Sequence, residues 1–126
     1  MRSLSVFILL FSFVSFAGEV GDKLPEQNKV HAVNLKNGAW QETCLPSEYG
    51  MIIEYDFESS QTLNFNIHWH KNKVVTYSVK HEGIKKLKGS FEPSVQQTFC
   101  LSWYESDKKE LNFTYKYSHK KIKKKK

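Results

Sequence analysis

Leu63-Asn64-Phe65-Asn66-Ile67-His68-Trp69-His70 alternates apolar and polar side chains without a break. A β-strand points successive side chains to opposite faces, so this period of two predicts a strand with one apolar and one polar face. Such a strand belongs in an antiparallel sheet that is packed on one side and wet on the other.

The same alternation recurs on both sides of this stretch. It runs through Ile53, Tyr55 and Phe57 before it, and through Val75, Tyr77 and Val79 after it. It returns in Phe99, Leu101 and Trp103, and again in Leu111, Phe113, Tyr115 and Tyr117. Weaker strand patterns cover residues 30–35, 41–45 and 85–91, the last with Leu87, Gly89 and Phe91 facing inward. Between these segments lie turn-forming residues: Lys36-Asn37-Gly38, Pro46-Ser47-Glu48-Tyr49-Gly50, Ser59-Ser60, Lys71-Asn72, Glu92-Pro93-Ser94 and Ser106-Asp107. No stretch of ten residues carries a helical period. The expected fold is all-β, an antiparallel β-sandwich of seven to eight strands over residues 30–118.

The N-terminus predicts export. Arg2 precedes an apolar run from Val6 to Val14 that leads to Ser15-Phe16-Ala17, which puts the small Ser15 and Ala17 at the positions a signal peptidase inspects. A membrane span needs about 20 apolar residues, more than this run supplies before Glu19 and Asp22. Residues 1–17 therefore read as a signal peptide, with no transmembrane span. The product is a protein of the periplasm, a secretory lumen or the outside. Residues 18–29, with Gly21 and Pro25, read as a flexible lead-in. In an oxidising compartment two cysteines of a small domain pair with each other, and Cys44 and Cys100 are the two. Closing that loop removes denatured-chain entropy worth roughly 4 kcal/mol.

Charge divides along the chain. The total is +6, yet residues 18–118 hold 12 Lys against 13 Asp or Glu. The excess comes from Lys120, Lys121, Lys123, Lys124, Lys125 and Lys126, so residues 119–126 read as a disordered basic tail. A neutral body argues against a specific nucleic-acid partner, while the tail offers weak contact with an anionic surface.

His68 and His70 point the same way from one strand and form a candidate metal pair. A site needs further ligands. With a tight turn at Lys71-Asn72, His81 falls opposite Thr62, about 20 Å from His68 at 3.3 Å per residue. His31 and His119 have no position fixed by the pattern. Glu54 and Asp56 share a strand face, but paired acids on a wet face usually serve solvation. The chain carries no nucleophile elbow, phosphate loop, zinc-protease helix or dinucleotide fingerprint, so no catalytic residues and no cofactor are expected. Trp40 and Tyr104 are candidate exposed aromatic platforms, and Asn112-Phe113-Thr114 is a formal glycosylation acceptor.

The order of these features is similar to a known pattern. Val33-Asn34-Leu35 leads to Thr43-Cys44-Leu45, and a strand led by Gly50 covers Ile52 to Phe57. The Leu63 to Trp69 strand follows, then Gly89-Ser90-Phe91 and Thr98-Phe99-Cys100-Leu101-Ser102-Trp103. From Val33 to Tyr117 the chain resembles the GOLD (Golgi dynamics) domain, the luminal β-sandwich of transmembrane cargo receptors. The resemblance implies a bond between Cys44 and Cys100 and a non-catalytic role in binding a protein or lipid partner. Gln97-Thr98 stands where the family has Gly-Tyr, and the family's coiled coil and transmembrane segment have no counterpart here. The expected function is thus an exported binding domain; the alternative is a metal-binding protein using His68 and His70.

Overall fold

The computed structural model describes residues 23–36 and 38–122. The expected signal peptide, the start of the lead-in and the last four lysines lie outside the described residues. Among the described residues six strands form: β1 (His31–Leu35), β2 (Trp40–Pro46), β3 (Met51–Lys71), β4 (Val74–Phe91), β5 (Thr98–Tyr104) and β6 (Leu111–Lys121). All pairings are antiparallel.

Eight expected segments give six strands because two pairs of them merge. Ser59-Ser60 does not end a strand; the chain bends there and continues as β3. Glu58 pairs with Lys86 and Leu63 with Ile84, so β3 advances five residues while β4 advances two. The extra residues bulge outward, and the serine hydroxyls take up the backbone groups that the ladder loses. Ser59 Oγ accepts from the Gln61 N–H, and Ser60 Oγ accepts from the Asn112 N–H. On β4 the bend falls near Gly83, whose φ of 66° lies in the left-handed region that suits glycine. Its N–H donates to Asn64 Oδ1 at 3.0 Å.

The bend makes one hairpin serve two layers. On one edge, residues 51–59 of β3 pair with β6, and residues 64–68 pair with β5. On its other edge β3 pairs with β4 along nearly its whole length. One layer therefore reads β1-β6-β3-β4 and the other β2-β5-β3-β4. Tyr55 and Phe57 before the bend pack on Phe65 after it, with ring centroids 5.0 and 4.9 Å apart. Trp103 of β5 fills the centre, 5.4 Å from Phe113 and 4.6 Å from Tyr115 of the opposite layer. Leu45, Ile53, Leu63, Ile67 and Leu101 complete a dry core. Each such side chain contributes about 1.5–3 kcal/mol on burial.

Both expected termini of the domain shift. The last strand runs past Ser118 to Lys121, because Ile52 and Met51 of β3 offer ladder partners to Lys120 and Lys121. Lys120 is thus held, with its Nζ 3.3 Å from Glu54 Oε1. Residues 23–30 lack regular structure but are tied down. The Asn28 N–H donates to the Tyr117 carbonyl at 2.8 Å, and the His119 N–H donates to Gln27 Oε1 at 2.7 Å.

Candidate functional site

Cys44 and Cys100 are bonded, and they face each other as register partners on adjacent strands β2 and β5. The alternation puts Phe99, Leu101 and Trp103 into the core, so Cys100 and its bond sit on the outer face of that layer. His68 is in register with Cys100, and Asn66 with Ser102. Ser102 in turn pairs with Glu42, which brings an acid of β2 to the same patch.

His68 and Asn66 were expected on a wet face, yet they are only 7% and 5% exposed. Neighbours on both sides of the ladder account for it. His70 crosses His68 with ring centroids 4.9 Å apart at 80°, and Tyr77 of β4 lies 5.9 Å away. From the other side Glu42 Oε2 approaches His68 Nε2 to 3.2 Å. His68 Nδ1 and Asn66 Oδ1 are 2.7 Å apart. The amide oxygen only accepts, so the ring nitrogen facing it carries the hydrogen. Burial pushes the His68 imidazole below its ordinary value, the Glu42 carboxylate opposes that, and His70 adds to it. Trp40 and Tyr77, 66% and 51% exposed, rim this hollow, and the half-buried Tyr104 lines it.

No protein-family model matches the chain, and no curated protein is significantly similar to it.

The other candidates fall elsewhere. His81 lies opposite Phe65, not Thr62, since the turn is centred on Asn72-Lys73 and the register slips between Ile67 and His68. That is three residues along from His68, about 10 Å at strand spacing. His31 lies on β1, where its Nε2–H donates to the Glu26 carbonyl at 2.7 Å and its ring meets Tyr115. His119 Nε2 lies 3.1 Å from Ser47 Oγ, an arrangement that invites a nucleophile reading. The chemistry runs the wrong way. Ser47 donates its hydrogen to the Leu45 carbonyl, so the imidazole donates to the hydroxyl and does not draw a proton from it. Glu54 accepts from Ser118 and faces Lys120, and both hold its carboxyl below the usual value; it is an ionised partner of the neighbouring strand.

Among the described residues, the donor atoms of Glu42, His68 and Cys100 all lie within 4.8 Å of one another. The Cys100 sulfur is spent in its disulfide. Glu42 was absent from the expected site, because no local pattern links position 42 to position 68. Only the β2-β5-β3 order does so.

Proposed function

We propose that this protein is an exported, non-catalytic binding module that engages a protein partner through the outer face of the β2-β5-β3-β4 layer. The observation that carries the reading is the pair of large exposed aromatics, Trp40 and Tyr77, across a floor of buried polar side chains. Trp and Tyr supply much of the energy at protein interfaces, since each buries a large area at the cost of few rotatable bonds. Exposed Val75, in register with His70, extends the apolar rim along the same face. The resemblance of Val33 to Tyr117 to the GOLD domain and the disulfide, a mark of oxidising compartments, support export to a lumen, periplasm or the outside. The terminal lysines add weak attraction to an anionic surface.

The test is capture of partners from the exported compartment by cross-linking, comparing wild type with a Trp40→Ala, Tyr77→Ala double variant. Tyr49→Ala, also at an exposed aromatic, is the control. One protein held by wild type and by the control, and lost with the double variant, supports the reading. Undiminished capture by the double variant overturns it. So does adsorption to neutral vesicles with no protein held, which would make the occupant a lipid.

A further inference from the structure

The hollow holds a pair of atoms that face each other as two acceptors whenever His68 is neutral. His68 Nδ1 carries the hydrogen that bonds Asn66 Oδ1, so a neutral His68 ring presents a bare lone pair at Nε2. What faces that lone pair at 3.2 Å is a carboxylate oxygen of Glu42, which also only accepts. The side chain of His68 is 9% exposed and that of Glu42 34%, so the pair is buried on the histidine side and opens to solvent on the carboxylate side. That arrangement is reconciled either by a proton on Nε2 or by a metal ion shared by the two groups.

We propose that Glu42, His68 and His70 bind one divalent first-row transition-metal ion of the zinc class on the outer sheet face. Three features of the geometry agree with this. Donors held on one ion at about 2.0–2.2 Å lie roughly 3.2–3.5 Å apart, close to the His68–Glu42 separation. Two imidazoles on one tetrahedral ion have centroids roughly 5 Å apart, against 4.9 Å for His68 and His70. Asn66 stands where a metal-bound histidine places the acceptor for its second ring nitrogen, fixing both tautomer and orientation. His70 is exposed, and its nitrogens stand outside the cluster of donor atoms around Glu42 and His68, so its side chain must rotate to complete the set. Two imidazoles and one carboxylate suit zinc, copper or nickel over calcium or magnesium, which prefer all-oxygen shells. Three protein ligands leave a coordination position open to a further ligand. The inference does not rest on the partner reading, since it involves this chain alone.

The experiment is calorimetric titration of the oxidised protein with zinc sulfate, repeated with Co²⁺ to read coordination from its visible spectrum. One equivalent is expected, with tetrahedral Co²⁺ absorption. His68→Ala and Glu42→Gln each weaken zinc binding at least tenfold, and His70→Ala does the same. Asn66→Ala keeps all three ligands and weakens binding roughly tenfold to a hundredfold, the usual effect of removing such a supporting acceptor. His81→Ala leaves binding unchanged. Glu42 and His70 are outward-facing, so their variants keep the fold, and a circular-dichroism melt verifies it. Absence of zinc binding in wild type overturns the proposal; it would mean that a proton fills the gap as a His68–Glu42 ion pair. Binding untouched by the Glu42 and His70 variants, or lost equally with His81→Ala, overturns it too.

Discussion

Trp103 meets four aromatic rings, from Phe57, Phe65, Phe113 and Tyr115, and is fully buried. Its indole N–H has no hydrogen-bond partner among the described residues. The ring's area therefore stabilises the fold while its polar edge costs something. Trp103→Ala is expected to lose about 3–5 kcal/mol in urea unfolding, as large aromatics do in packed cores. Trp103→Phe should lose clearly less, because it removes the unpaired donor along with part of the area. Equal losses would show that the indole N–H is satisfied in solution. At this scale the sequence was a good guide to the core. Phe65, Ile67, Trp103, Phe113 and Tyr115 all lie inside, on the phase that alternation assigns them. It misled at Asn66 and His68, whose burial on the outer face depends on Glu42 and Tyr77, and at Val75 and Tyr77, which the register puts on that outer face opposite His70 and His68.

The β3–β4 hairpin is the element on which the fold turns. Asn72 and Lys73 both adopt positive φ, 51° and 69°, the backbone of a tight hairpin turn whose twist matches the strands. Beyond the bend, Gly89 lies opposite Tyr55, and a Cβ on Gly89 would stand 2.8 Å from the Tyr55 hydroxyl. The absent side chain is what lets the Tyr55 ring lie over the backbone of β4 at this point. Gly89→Ala is expected to destabilise by about 1–3 kcal/mol through displacement of that ring. Thermal melting checks this, and an unchanged or raised midpoint would show that Tyr55 has room to move. Strand existence was legible from period alone; continuity was not. Ser59-Ser60 reads as a turn, yet its hydroxyls satisfy a bulge, and Gly83 gave the second half of the signal without a turn neighbour to flag it. The outer edge of β4 carries Lys80, Lys85, Lys86 and Lys88, charges that deter pairing with another chain.

For the whole molecule, acid acts in part through His119. Burial holds its imidazole below the ordinary value of 6.5. Above 6.5 the ring is neutral folded and unfolded, and it contributes no pH dependence. As pH falls below 6.5 the unfolded chain takes up the proton first, so stability declines until the folded ring also protonates. Glu54, held below its ordinary 4.5, adds a loss of the same sign at lower pH. The urea midpoint should therefore fall between pH 7.5 and pH 5, and His119→Gln should flatten part of that slope. A midpoint that rises on acidification, or a slope unchanged in the variant, would refute the assignment.

The bend in β3 also decides how the molecule comes apart. Because β3 and β4 run through both layers, loosening either layer strips a strand that the other is using. Partial opening is thus expected to have no resting point: the two leaves share one spine, and backbone amides at Phe57 and Ile67 should exchange with solvent only when the whole spine lets go, which hydrogen exchange checks.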